Sequence, residues 1–417
     1  MKQAALNYHR EAKPGKLSVE ITKPADTQQD LSLAYSPGVA EPVKEIMADS
    51  QLAYDYTIKG NLVAVVTNGT ATLGLGNTGA LASKPVMEGK ALLFKRFANI
   101  DSFDIEIDET DVDKFVEIVT KIAPTFGGIN LEDIAAPACF EIEQKLIEAL
   151  DIPVFHDDQH GTAIICVAAL LNALQIQNKA LADAKIVCVG AGAAGIAILN
   201  LLLESGAQHD NILLLDSKGV VHSGRDDLNV YKQAFAVETD KRTLTDAMQA
   251  ADVFLGLSVA NLLTAEMLLS MAARPVVLAM ANPDPEVLPE AALAIRDDII
   301  IGTGRSDYPN QVNNVLGFPY IFRAALDCRA KEINSEMKLA CVEALRNLAK
   351  EPVSQQVLDA YGLRELSFGK DYILPKPTDS RLLQQLPPAI IQAAKASGVA
   401  REVLGTTTER FYSAESE

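Results

Sequence analysis

From Leu62 onward the chain alternates short apolar runs with longer segments whose apolar positions recur every three or four residues. The run LVAVVT at 62–67 reads as a strand buried on both faces, and the runs at 103–107, 128–131 and 152–156 read as further strands. Helical spacing between them predicts helices over roughly 84–97, 112–122 and 139–150, with a long helix at 161–176. Strands alternating with helices across short connections imply a mostly parallel sheet. A second series begins at Lys185, with strands at 186–189, 212–216, 253–257, 276–280 and 299–301, and a helix at 193–205 after the first of them. That order predicts a doubly wound, Rossmann-type sheet. Beyond about 318 the pattern is helical at 320–330, 335–349 and 388–396, and irregular between 351 and 385. The first forty residues are polar and proline-punctuated, with one helix near the start; the last dozen, TTTERFYSAESE, read as frayed. The expected class is α/β in two domains, 1–160 and 161–397 with its C-terminal helices, followed by a tail at 398–417.

Composition narrows the partners. A formal charge of −18 argues against nucleic acid or an anionic membrane surface. Five cysteines (139, 166, 188, 328 and 341) are dispersed and have no C-x-x-C spacing, which reads as buried thiols in a reducing compartment. The start, MKQAALNYHREAKPG, lacks the apolar centre of a secretory leader. Ile186 to Leu203 runs eighteen residues without a charge, as a membrane span would. Its glycines cluster in the first half, so a buried strand, a turn and a buried helix explain it better. The expectation is a cytoplasmic protein.

Two acidic doublets, Glu132-Asp133 and Asp157-Asp158, each follow a predicted strand. In a parallel sheet both would arrive at one edge, where four carboxylates repel unless a cation holds them. Hard oxygen ligands suit Mg²⁺ or Mn²⁺. The competing reading makes Asp157 or Asp158 a cap of the 161–176 helix and Glu132-Asp133 a solvated turn. His156 and His160 flank the second doublet without zinc-site spacing, and read as supporting or structural groups.

Gly190, Gly192 and Gly195 have G-x-G-x-x-G spacing, with Ala193 and Ala194 opening the helix. Strand, glycine turn, helix and then Asp216 at the next strand end form the context of a dinucleotide site. Asp216 suits the free ribose of NAD, whereas Ser217, Lys218 and Arg225 suit the 2′-phosphate of NADP, so both cofactors stay open. Lys84 and Lys90 lie on a predicted helix; the apolar run after Lys90 points to its partial burial, and a cation nearby would lower its pKa toward that of a general base. Tyr35 sits in a Tyr-Ser-Pro-Gly turn and by itself reads as a packing tyrosine beside a proline turn. Asn282 (in ANPDP) and Asn314 follow strand ends, where amides suit a carboxylate or simply a turn.

Taken together, YSPGVAEP (35–42), VVTNGTATLGLGNTGALASKPVMEGK (65–90), NLEDIAAPACFEIE (130–143), VFHDDQHGTA (154–163), VGAGAAG (189–195), ANPDPE (281–286) and GRSDYPNQVNNVLGFP (304–319) resemble malic enzymes, specifically the short bacterial branch without a phosphotransacetylase-like domain. The resemblance spans about Leu17 to Ala396. It implies oxidative decarboxylation of (S)-malate to pyruvate and CO₂ with NAD or NADP and Mg²⁺ or Mn²⁺, in a homodimer. It implies Tyr35 as general acid, Lys90 as general base with Asp157 tuning it, Glu132, Asp133 and Asp158 as metal ligands, and Asn282 and Asn314 as substrate-binding residues. Eukaryotic members carry an arginine where this chain has Ala71, so carboxylate recognition must be met otherwise. Rival expectations are a malolactic-type lyase on the same scaffold, a plain dehydrogenase without decarboxylation, and a silent nucleotide-binding protein.

Overall fold

A computed structural model of the chain describes residues 2–11 and 13–401. The first sheet is built from β1 (Leu62–Thr67), β2 (Asp101–Glu106), β3 (Gly128–Leu131) and β4 (Val154–His156), all parallel in the order β2-β1-β3-β4. Every residue of β1 and β3 is buried, as expected of strands covered on both faces. The second sheet contains β5 (Ile186–Val189), β6 (Ile212–Asp216), β7 (Gly219–Val220), β8 (Val253–Gly256), β9 (Val276–Ala279) and β10 (Ile300–Thr303). Its order is β10-β9-β8-β5-β6-β7, parallel except for the short antiparallel β7. The order reverses beside β5, the crevice where doubly wound folds bind nucleotides.

The helix Asp157–Ile176 joins the two sheets. It starts directly at the second acidic doublet, four residues before the sequence pattern suggests, and fourteen of its twenty residues are buried. Its apolar residues share one core with Val63, Val65 and Phe155 of the first sheet and Ile186, Cys188 and Leu255 of the second. Among the described residues it is the one helix long and apolar enough to cross a membrane, and 72% of that apolar window is inside the protein. The uncharged Ile186–Leu203 stretch resolves as β5, the glycine turn and most of the helix Ala193–Glu204.

Several elements depart from the sequence pattern. The helix Ala80–Ala98 begins earlier than expected and runs through Pro85. The helix Arg381–Ala396 starts seven residues ahead of Pro388 and contains both Pro387 and Pro388. A proline inside a helix costs about 3 kcal/mol. Leu382, Leu386, Ile390 and Ala394 recur every four residues and are all fully buried; at roughly 1.5–3 kcal/mol for each of the three large side chains, that stripe offsets the cost. The 351–385 segment holds a helix, Gln355–Tyr361, between a Ser354 N-cap and Gly362 at φ +63°. Its only buried residue is Val357, so no apolar period announces it. The 406–417 tail lies outside the described residues.

At the N-terminus the helices Lys2–Arg10, Gln28–Ala34 and Ala40–Ala48 contain no buried residue. Val19, Ile21, Leu33 and Met47 are each more than 60% exposed.

Candidate active site

The C-terminal ends of both sheets open into one cleft of about 780 Å³, lined by Lys90, Glu132, Asp133 and Asp158 on one side and by Gly190, Gly192, Asn282 and Asn314 on the other. Parallel strands deliver these residues because each β-strand end becomes a loop at the same edge. Glu132 and Asp133 leave β3, and Asp157 and Asp158 form the first helical turn after β4. Asp133 adopts a left-handed backbone (φ +54°), which turns the chain sharply at the strand end.

Glu132, Asp133 and Asp158 each present an oxygen within 4.8 Å of the other two. The capping role available to the second doublet is not used: the N-cap of the helix is His156, with no side-chain cap. Asp158 Oδ2 instead accepts the Asp133 backbone N–H at 2.7 Å, and Asn130 Nδ2 donates to Glu132 Oε2 at 2.9 Å. Burial pushes Glu132 well above the ordinary carboxylate range, and burial together with the Asp158 charge raises Asp133 to about 7. Asp133 Oδ2 is buried without a hydrogen-bond partner. Three hard oxygen donors crowded at this spacing, one of them orphaned, fit Mg²⁺ or Mn²⁺.

Lys90 sits at the mouth of this cluster. It comes from the helix Ala80–Ala98, whose buried face also carries Met87, Ala91 and Phe94. Its Nζ donates to Asp157 Oδ2 at 2.5 Å, lies 2.9 Å from Glu132 Oε1, and stands 4.1 Å from the centre of the Phe318 ring. Burial pulls its pKa down, but the charges of Asp157 and Glu132 outweigh that and hold the ammonium above its usual range. The anions beside it thus decide the sign against burial. Asp157 is held closely enough that a Cβ on Gly161 would come within 1.8 Å of its Oδ1, so only glycine fits one helical turn later.

Asn314 spends its amide inside the site: its Oδ1 accepts from Thr162 Oγ1 at 3.2 Å, and its Nδ2 donates to Asp157 Oδ2 at 3.0 Å. The same Nδ2 also donates to the Asp157 backbone carbonyl at 3.5 Å. Ala71 lines the cleft, and Lys90 is the one cation among the described lining residues.

On the cofactor side, a Cβ on Gly195 would meet the Gly190 carbonyl oxygen at 1.9 Å, whereas nothing lies within 4 Å of one on Gly192. The turn and the helix packing thus each require glycine, and the middle position is open for a pyrophosphate to approach. Ala193 and Ala194 also line the cleft at the helix start. Asp216, Ser217 and Lys218 lie at the end of β6, beyond the cleft lining, and Asp216 is engaged by basic side chains.

Tyr35 is not brought to this cleft. It caps the end of the helix Gln28–Ala34, is 76% exposed, and is absent from the lining.

Sequence reasoning missed a buried brace behind the acidic turn. Glu143, on the helix Ala138–Ala149, accepts the His156 backbone N–H at 2.8 Å, Gln159 Nε2 at 3.1 Å and His160 Nε2 at 2.9 Å. His160 Nδ1 in turn faces Lys338 Nζ at 3.2 Å. With Nε2 donating to Glu143, the neutral imidazole offers Nδ1 as acceptor to the lysine. His156 Nε2 lies 3.4 Å from Asp158 Oδ2. Both histidines are thus neighbours of the acidic cluster rather than members of it.

Two family models account for most of the chain: "Malic enzyme, N-terminal domain" matches residues 14–147 and "Malic enzyme, NAD binding domain" matches residues 159–361. The chain belongs to the malic enzyme family. It is 61% identical to an NADP-dependent malic enzyme of Halomonas elongata, over 96% of this chain and 95% of that one. It is 60% identical to an NADP-dependent malic enzyme of Rhizobium meliloti, where the same 96% of this chain spans 53% of the relative. The crystal structure of a malic enzyme from Pyrococcus horikoshii superposes with a TM-score of 0.88 at 41% identity, covering 97% of this chain and 93% of that one. The two-sheet architecture with its Rossmann-like half is the malic enzyme fold.

Proposed function

We propose that the chain catalyses the oxidative decarboxylation of malate to pyruvate and CO₂ with reduction of NAD(P)⁺. The observation that carries this reading is Lys90, bridged to Asp157 and Glu132 beside a three-carboxylate cluster and facing a glycine fingerprint across one cleft. A plain dehydrogenase has no use for that cluster.

Glu132, Asp133 and Asp158 are the residues to hold a divalent ion. When bound, that ion supplies Lewis acidity at the hydroxyl and carboxylate of malate, and the nicotinamide supplies the hydride acceptor. Lys90 is the group to hold the proton of the C2 hydroxyl. With Glu132 neutralised, its amine keeps one anionic partner, Asp157, and moves toward the neutral form a base requires. Asp157 fixes the amine, and Asn314 fixes Asp157. The amides of Asn314 and Asn282 are neutral donors for a malate carboxylate, the task left open by Ala71. Gly190, Gly192, Ala193, Ala194 and Gly195 seat the pyrophosphate.

The same reading extends to assembly. The exposed apolar N-terminal residues support a homodimer in which the segment around Tyr35 packs on a second copy and presents the tyrosine hydroxyl to that copy's cleft as general acid. Mixing inactive Tyr35→Phe and Lys90→Ala chains then regenerates intact sites, up to about a quarter of normal activity for random twofold pairing; no recovery after confirmed exchange of subunits returns Tyr35 to its own chain. The functional halves are taken as 1–160 and 161–397, with malate as small-molecule substrate, no nucleic acid or membrane partner, and a cytoplasmic location supported by five free, buried cysteines.

The deciding assay follows reduced-cofactor absorbance with malate and Mn²⁺, with and without EDTA, and measures pyruvate at the end. Equal, metal-dependent amounts of NAD(P)H and pyruvate are expected. Lactate without accumulating reduced cofactor would instead identify a malolactic lyase, and no turnover a silent binder.

A further inference from the structure

Behind the second-sheet wall of the cleft lies a carboxylate that the proposed chemistry does not use. Glu286, at the end of the ANPDPE segment, has no exposed surface. Its Oε1 accepts the Ser258 N–H at 2.9 Å and its Oε2 accepts the Ala281 N–H at 3.1 Å. Ser258 and Ala281 both line the cleft, just past the ends of β8 and β9. Room for the carboxylate is made at Gly256, the last residue of β8: a Cβ there would come within 2.4 Å of Glu286 Cδ and 2.6 Å of either oxygen.

This carboxylate has no counter-ion. Among the described residues no lysine, arginine or histidine pairs with it, and backbone N–H groups meet both of its oxygens. Burial pushes its pKa up, against the pull of the Ser258 and Ala281 N–H groups. Both contacts are donors, so they fit the ionised form; a proton on either oxygen would face another hydrogen. The charge reaches the centre of the sheet, since Glu286 adds to burial in pushing the Cys188 thiol of β5 up to about 12. Neutral acceptors could tie the two loops together without the desolvation of an unpaired ion. What the carboxylate adds is a fixed negative charge.

The strands β8, β9 and β10 lie on one side of the glycine turn after β5, and β6 with Asp216 lies on the other. A doubly wound sheet binds the two halves of a dinucleotide across that point. With the acid that suits a ribose at the end of β6, Glu286 belongs to the wall of the nicotinamide half. The nicotinamide ring carries a positive charge in NAD(P)⁺ and is neutral once it has taken up hydride. We infer that Glu286 is a fixed anion favouring the oxidised ring, so that the cleft holds NAD(P)⁺ firmly and loosens its grip on NAD(P)H after hydride transfer. A buried charge acts through protein rather than water and is weakly screened by salt. The inference rests on the malic enzyme reading for the direction of the reaction, but its test needs no turnover.

Calorimetric titration of the full chain with NADP⁺ and with NADPH, without malate, reads the effect directly. The native chain should bind NADP⁺ at least as tightly as NADPH. Glu286→Gln, isosteric and neutral, should raise the Kd of NADP⁺ relative to that of NADPH at least about tenfold, or about 1.4 kcal/mol. Glu286→Asp keeps the charge but shortens the reach to the loops, and should retain most of the native ratio. 2′-Phospho-ADP-ribose, which lacks the nicotinamide, should bind the native chain and Glu286→Gln equally. Equal weakening of NADP⁺ and NADPH in Glu286→Gln, or loss of the ratio in Glu286→Asp as well, would reduce Glu286 to a staple between two loops and overturn the inference. So would NADPH binding to the native chain more than about tenfold tighter than NADP⁺, a result readable even where Glu286→Gln does not fold. Absence of malate turnover with the binding ratios as expected would break the function reading and leave the fixed anion standing.

Discussion

Two strand-end edges face each other across the cleft, and they manage charge in opposite ways. The edge of the first sheet collects Glu132, Asp133, Asp157 and Asp158 around the single ammonium of Lys90, so negative charge is in excess and partly buried. The edge of the second sheet, at the fingerprint, carries glycines, alanines and amides, and places its cations further out on Asp216 and Asp227. The geometry is shared: parallel strands ending together. The chemistry differs because a divalent cation needs crowded anions, whereas a pyrophosphate needs bare backbone N–H groups at a helix start. Fold alone would not separate the two; side chains at equivalent strand ends do.

The comparison breaks most visibly at Lys90. Lys90→Ala should lower kcat by roughly 10²–10⁴-fold, the usual range for a general base, while NADP⁺ binding measured by fluorescence stays within twofold; a parallel loss of binding would mean that the two edges are not separate devices. Asp158→Ala should abolish saturable Mn²⁺ binding followed by electron paramagnetic resonance, and an unchanged Mn²⁺ isotherm would remove the ligand assignment. Glu143→Gln leaves all the ligands in place but loosens the brace behind them, so Mn²⁺ affinity should fall about 10–100-fold, as for groups that orient metal ligands, with nucleotide binding unaffected.

Glu143 also sharpens the picture at low pH. Burial pushes its carboxyl up, but His160, His156 and Lys338 outweigh that and hold it at about 2, below the ordinary 4.5. A depressed folded-state pKa stabilises the fold above the unfolded value and loses that contribution as pH falls from about 4.5 toward 2. The linkage amounts to roughly 3 kcal/mol, to be read as a steeper acid-unfolding slope in the native chain than in Glu143→Gln. Smallest on activity is Leu386→Ala, which should cost about 2–5 kcal/mol of stability and leave the ratio of NADP⁺ to NAD⁺ use unchanged.

Both edges were legible in the sequence to different depths. The strands announced themselves as apolar runs, the doublets fell at their ends, and G-x-G-x-x-G carried its own context. Local signals of that kind survive because each is written within a dozen residues. The Glu143–His160–Lys338 brace was not legible, since His160 and Lys338 lie 178 residues apart and a lysine on an amphipathic helix reads as solvated. Lys232 escaped for a related reason: it meets Asp216 from a four-residue helix with no apolar period. The sign of the Lys90 shift depended on two carboxylates from different strand ends, Asp157 being 67 residues away, and only the folded geometry adds their charges.

The helix that begins at Asp157 has a consequence for how this architecture can change over time. Its first turn bears two of the acidic residues, and its remaining length is plugged into the interiors of both halves. A cut or graft near residue 160 would strip an apolar column of its cover on one side, so the nucleotide half is not a cassette to be exchanged for another. New specificities on this scaffold must be written in the loops and short elements around the cleft, while the shared axle is inherited whole.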